Sequence, residues 1–111
     1  MANNILITGI TGFVGSHLCD YILNNHKEVK IYGTKRYHLS RLEHVKHFYS
    51  RVNWIDCDIT DSRATLELIE ETNPDIIFHC AAESFVSPSW RHPRRYMDVN
   101  YLGTVNLLDA L

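Results

Sequence analysis

At 111 residues, with 45% hydrophobic and 22% charged side chains and a formal net charge of −2, the chain has room for one domain with a real core and not for two. The near-neutral balance, with no basic run and no acidic tail, excludes a nucleic-acid-binding field. No apolar stretch approaches the roughly 20 residues of a membrane span.

Met1-Ala2-Asn3-Asn4 carries no basic n-region, and the apolar run behind it is too short for a signal segment. A cytoplasmic protein that binds neither nucleic acid nor membrane is expected. Residues 5–8, Ile5-Leu6-Ile7-Thr8, predict a first strand. The strand runs into Gly9-Ile10-Thr11-Gly12-Phe13-Val14-Gly15, and Val14, Leu18, Tyr21 and Ile22 then fall at helical spacing over residues 13–25. Strand, glycine-rich turn and helix is the arrangement that binds the pyrophosphate of a dinucleotide. Gly9 permits the tight exit from the strand. Gly12 lets the backbone approach phosphate oxygens, and Gly15 lets the helix lie close to the sheet. The helix start offers N–H groups and a partial positive charge to the anion.

Residues 29–33 predict a second short strand, residues 39–48 a short helix, and residues 52–57 a third strand. Thr60-Asp61-Ser62 supplies capping residues for a helix reaching about residue 71, with Leu66, Leu68 and Ile69 as its apolar side chains. Asn73-Pro74-Asp75 is a turn. Ile76-Ile77-Phe78-His79-Cys80 is a continuous apolar run that predicts a fourth strand covered on both faces. Met97, Tyr101, Val105 and Leu108 place a last helix over residues 94–111. The alternation predicts an α/β fold: a Rossmann-like, doubly wound parallel sheet of four strands in the order 3-2-1-4, truncated relative to a complete dinucleotide fold. Its ligand crevice would lie at the carboxyl ends of strands one and four.

The strand ends carry the chemistry. An NAD site places an acid after the second strand. This chain has Lys35-Arg36 there and no acidic residue between Glu28 and Glu43, which favours the 2′-phosphate of NADP, held by a guanidinium fork. Asp58 can accept from the amino group of adenine, and Ile59 can pack on its face. Ala81 and Ala82 are small enough to let the chain pass the cofactor, with Ser84 toward the nicotinamide end and Glu83 either a polar contact or facing solvent. Asn100, inside the last helix, is assigned a structural hydrogen bond. The odd set of cysteines, Cys19, Cys57 and Cys80, fits a reducing compartment. Histidines 38, 44 and 47 lack carboxylate or thiolate companions at ligand spacing, so no metal site is expected.

Thr8 to Gly15, Asp58-Ile59-Thr60-Asp61, His79-Cys80-Ala81-Ala82-Glu83-Ser84, Asp98-Val99-Asn100 and Gly103-Thr104 together resemble the extended short-chain dehydrogenase/reductase family of sugar-nucleotide epimerases and dehydratases. Within it the chain is most similar to the GDP-mannose 4,6-dehydratases, through Ile7 to Gly12, Arg41-Leu42-Glu43-His44, Ser84-Phe85-Val86, Ser89-Trp90 and Pro93. Phe13-Val14 and Glu83 depart from that enzyme's commoner residues. The resemblance implies that Gly9, Thr11, Gly12, Phe13 and Val14 contact the pyrophosphate and that Arg36 binds the 2′-phosphate. It implies Asp58 and Ile59 at the adenine, and Cys80, Ala81, Ala82 and Ser84 along the nicotinamide-side ribose. It further implies a nucleotide-sugar substrate, a homo-oligomer, and a reaction that oxidises C4, eliminates water and reduces C6. The family's catalytic Tyr-x-x-x-Lys is missing: none of the six tyrosines has Lys four residues on. Residues 1–111 are therefore expected to form the N-terminal part of the NAD(P)-binding domain, with no catalytic residue, no substrate domain, and no activity of their own.

Overall fold

The computed structural model describes residues 3–36, 40–81 and 90–111. Strands β1 (Asn4–Thr8), β2 (Lys30–Lys35), β3 (Asn53–Asp56) and β4 (Ile76–His79) form one sheet in the order β3-β2-β1-β4. Every pairing is parallel: Ile5 lies beside Ile31 and Ile76, and Gly33 beside Trp54. The expected 3-2-1-4 order is the order found. β1 is central, and its Ile5, Leu6, Ile7 and Thr8 are all buried.

Two apolar clusters sandwich the sheet. On one face Ile5, Ile7 and Ile31 pack with Cys19, Ile22 and Leu23 of α1 (Phe13–Asn25) and with Val45 and Phe48. On the other, Leu6, Tyr32, Ile55 and Ile77 meet Leu68 and Ile69 of α2 (Ser62–Thr72). α2 starts where Asp61 accepts from the backbone N–H groups of Arg63 and Ala64, and it ends where Asn73 takes the left-handed conformation (φ 41°).

Several local expectations change. β2 continues to Lys35, because the carbonyl of Lys35 accepts from the Cys57 N–H at 3.0 Å and extends the ladder with β3. The short helix expected over residues 39–48 begins in part outside the described residues. Within them the chain forms a turn and then a 3₁₀ helix, Lys46–Arg51. Val45 and Phe48 are the buried pair there, three residues apart, which is the spacing of a three-residue turn. β4 is not covered on both faces: Ile76 and Phe78 stay 39% and 37% exposed. They share a face with Ile5 and Ile7, but β4 is an edge strand lying outside the cluster that α1 builds on β1 and β2.

The last helix is in three parts: α3 (Pro93–Met97), a π-helical turn (Asp98–Leu102) and α4 (Gly103–Ala110). Its buried positions are Val99, Gly103 and Leu107, while Met97, Tyr101 and Leu108 face outward. α1 is mixed: it buries the expected Ile22 together with Gly15, Ser16 and Cys19, and exposes Val14 and Tyr21. α2 buries Thr65 and Thr72 while Leu66 is exposed, and both hydroxyls are satisfied by backbone carbonyls at 2.8–3.3 Å. Small residues on these buried faces let a helix approach its neighbour closely. A Cβ on Gly103 would come within 2.7 Å of Ile59 Cγ2.

Because Asp61 satisfies two first-turn donors, Asp61→Ala is expected to cost about 1 kcal/mol and Asp61→Asn markedly less, read as urea-denaturation midpoints.

Candidate functional site

The site lies where β1 and β4, neighbours in space but far apart in sequence, release their chains at the same end of the sheet. Gly9 leaves β1 with φ +69°, a conformation that favours glycine. A Cβ there would stand 2.5 Å from the Cys80 carbonyl carbon and 2.6 Å from the Ala81 nitrogen. Gly12 N–H donates to the Gly9 carbonyl at 3.0 Å and closes the turn. Gly15 then brings α1 against that turn, where a Cβ would overlap the Gly9 carbonyl oxygen. The helix starts at Gly12 without a side-chain cap, so its first N–H groups face the crevice end with no capping side chain to satisfy them. These three glycines leave the open cradle that a phosphate needs.

A crevice runs from this turn over the ends of β2 and β3. Its lining includes Gly9, Thr11, Gly12, Arg36, Asp58, Ile59, Cys80 and Ala81. These are eight of the twelve residues expected from sequence, drawn together from four strand ends. Phe13 and Val14 do not line it: their side chains are 69% and 67% exposed, and what they present is the backbone of the first helical turn. Ala82 and Ser84 lie outside the described residues, as does Glu83.

The crevice also draws in Thr34, Lys35, Ser40, Cys57, Arg95 and Val99. Arg95 and Val99 come from α3 and the π-helical turn, and no local motif announces them. Only the folding of the last helix over the end of β3 brings them there. Lys35, read as one of two cations after β2, pairs instead with Asp56 at 3.8 Å. Arg36 is clasped by Ser40, whose hydroxyl accepts from the Arg36 N–H at 2.9 Å and whose own N–H donates back to the Arg36 carbonyl at 3.0 Å.

Asp58 forms a local turn rather than a helix cap. One carboxylate oxygen accepts from both the N–H and the hydroxyl of Thr60, at 3.0 and 2.8 Å. Burial pushes its pKa up, but the Thr60 hydrogen bonds and the charges of Arg95 and Arg36 outweigh burial and hold the carboxyl below the ordinary 3.8. Ile59 is held from behind. Its carbonyl accepts from Asn106 at 2.9 Å and from Thr65 at 3.3 Å, and its side chain packs on Gly103. Burial pushes the Cys57 thiol up to about 11 and raises that of Cys80. Both stay protonated at neutral pH, so neither acts as a thiolate nucleophile. Among the described residues no cluster of three or more His, Cys, Asp or Glu side chains could hold a metal ion. No described helix is long and apolar enough to cross a membrane.

A parallel sheet of order 3-2-1-4, with a glycine turn and an uncapped helix at its switch point, defines the dinucleotide-binding class of α/β fold. The family model for GDP-mannose 4,6-dehydratase matches residues 6–111. GDP-mannose 4,6-dehydratase of Yersinia enterocolitica is 34% identical over an alignment covering 96% of this chain and 30% of that relative. Among solved structures, UDP-glucose 4-epimerase of Thermotoga maritima with UDP-glucose superposes with a TM-score of 0.83 at 27% identity, covering 96% of this chain and 33% of that one. dTDP-glucose 4,6-dehydratase of Bacillus anthracis in complex with NAD gives 0.79 at 29% identity, covering 97% and 33%. The chain belongs to the GDP-mannose 4,6-dehydratase family, among the nucleotide-sugar dehydratases and epimerases, and spans about a third of the length of these relatives.

The site geometry makes two outcomes testable. Gly9→Ala is expected to lower stability by more than the roughly 1–3 kcal/mol of left-handed backbone strain alone, since its Cβ also meets the Cys80–Ala81 backbone; urea denaturation reads the loss. The Asp58 carboxyl is depressed, so its stabilising contribution is full above pH 3.8 and is lost as pH falls through the lower folded value. As pH falls below 3.8 the unfolding midpoint of Asp58→Asn should therefore fall less steeply than that of the parent chain.

Proposed function

We propose that this chain is the NADP-holding portion of a sugar-nucleotide 4,6-dehydratase acting on GDP-mannose. The observation that carries the cofactor reading is the end of β2: Arg36 lines the crevice, Arg95 reaches it from α3, and no carboxylate follows β2 to accept from a ribose 2′-hydroxyl. The Arg36 and Arg95 guanidiniums at this end of the crevice have the planar geometry of a bidentate fork on the 2′-phosphate.

In this reading Gly9, Thr11 and Gly12, with the backbone N–H groups of Phe13 and Val14, cradle the pyrophosphate at the start of α1. Asp58 accepts from the adenine amino group, and Ile59 and Val99 close on the ring. Cys80, Ala81, Ala82 and Ser84 lie along the nicotinamide-side ribose. The bound nicotinamide supplies the hydride acceptor for oxidation at the sugar C4 and the donor for return at C6. The residues here bind and orient the cofactor. The proton-transferring Tyr-x-x-x-Lys pair of the family is not among them, so the 111-residue chain alone is expected to turn over no GDP-mannose. The whole protein is assigned to the cytoplasm, in keeping with its free cysteines. Self-association is supported by the outward Met97, Tyr101 and Leu108 of the last helix.

The chain should be retained on immobilised 2′,5′-ADP and released by NADP but not by NAD. Arg36→Ala should weaken NADP binding roughly ten- to a hundredfold, the loss of a charged hydrogen bond worth about 1.5–3 kcal/mol, while hardly changing NAD. Arg95→Ala should act in the same direction. Equal loss for both cofactors would sink the 2′-phosphate assignment. A second reading, an NAD-dependent nucleotide-sugar enzyme, is favoured by the NAD in the Bacillus anthracis dehydratase structure. Release by NAD as readily as by NADP would carry that reading instead.

A further inference from the structure

A chain of hydrogen bonds runs behind the crevice, and its direction can be worked out donor by donor. The Thr104 hydroxyl donates to the Asn100 carbonyl at 2.9 Å, so its proton is committed. His79 Nε2, 3.2 Å from that same oxygen, must then carry the hydrogen and donate to it. In a neutral imidazole Nδ1 is consequently the acceptor, and the Thr8 hydroxyl 2.6 Å away donates to it. The proton of Thr8 being spent on Nδ1, its oxygen is free to accept, and it takes the Ala81 N–H at 3.2 Å. In this arrangement each hydroxyl donates once and accepts once, each ring nitrogen has one role, and the ring is the neutral Nε2–H tautomer.

What the chain holds is the crossing that forms the crevice floor. Thr8 is fully buried at the end of β1 and immediately precedes Gly9. Its carbonyl accepts from the Cys80 N–H at 3.0 Å while its hydroxyl accepts from the Ala81 N–H. Those two residues are the backbone against which Gly9 has no room for a side chain. His79 thus stands between the β1–β4 crossing and the last helix, tied to each by one ring nitrogen. Burial disfavours its charged form and pushes its pKa below the ordinary 6.5, which agrees with a neutral ring.

We propose that His79 is a positioning residue: as the neutral Nε2–H tautomer it orients the Thr8 hydroxyl to accept from Ala81 and so sets the backbone separation at the Gly9 crossing. Its consequence for cofactor affinity rests on the dinucleotide reading of the crevice; the positioning itself does not.

Two isosteres separate its halves. The Asn side-chain oxygen stands near Nδ1 and can accept from Thr8, whereas the Gln amide nitrogen stands near Nε2 and can donate to Thr104. In the unmodified chain, imidazole ¹⁵N shifts at neutral pH should report Nε2 protonated and Nδ1 bare. Amide exchange at Ala81 should stay slow in His79→Asn and accelerate roughly tenfold in His79→Gln, the effect of one hydrogen bond of about 1.4 kcal/mol. NADP affinity should track the same order. A protonated Nδ1, or equal Ala81 exchange in the two variants, would overturn the proposal. The tautomer is read on the unmodified chain, so it decides the matter even where a variant fails to fold. If the unmodified chain binds no dinucleotide, the cofactor reading falls, and the tautomer and exchange measurements still judge His79.

Discussion

Three backbone segments meet at Gly9 with no space between them. The exit of β1, the first turn of α1 and the exit of β4 pack main chain against main chain, so that a Cβ on Gly9 or Gly15 would overlap backbone rather than a side chain that could move aside. A parallel sheet cannot place β1 and β4 side by side without long crossovers, and these crossovers release both chains at one end. The close approach turns that topological fact into a cleft whose floor is backbone and whose head is an uncapped helix. Everything assigned to function hangs from this crossing: the phosphate cradle in front of it, and the Thr8–His79–Thr104 chain behind it.

Away from the crossing the crevice is organised by charge. Asp56 takes up Lys35 and Thr60 takes up Asp58, so two of its charged groups already have partners within the protein. Arg36 and Arg95 bias the same end toward anions, and the depressed Asp58 carboxyl registers both charges. The lysine pair is partly exposed and contributes little to stability.

The π-helical turn Asp98–Leu102 bears on the Ile59 side of the crevice. It lies directly before Gly103, which packs on Ile59, and α4 then carries Asn106 to the Ile59 carbonyl. Such turns recur at functional sites because they re-aim one helical register without ending the helix. Here Val99 faces the crevice while Gly103 and Leu107 face the core.

The local run of residues alone determined the four strands, α1 and α2, the parallel alternation and most of the crevice, because glycines, caps and strand-end polar groups act within a few positions of themselves. Ile5 to Thr8 could hardly be anything but a central strand, and Thr8 to Gly15 carried the phosphate turn in its spacing. The packing faces of the helices were legible only in part. Periodicity found Ile22 and Leu68, which are buried, but it also picked Val14, Tyr21, Met97 and Tyr101, whereas the buried faces include Gly15, Ser16, Cys19 and Gly103. Close approach selects for small volume, which no hydrophobic pattern records. Tertiary structure alone decided that Lys35 pairs with Asp56, that Arg95 and Val99 join a crevice built from the other end of the chain, and that His79 is tied to both Thr8 and Thr104. Each of these depends on a partner distant in sequence, and a contact of that kind exists only once the sheet has assembled.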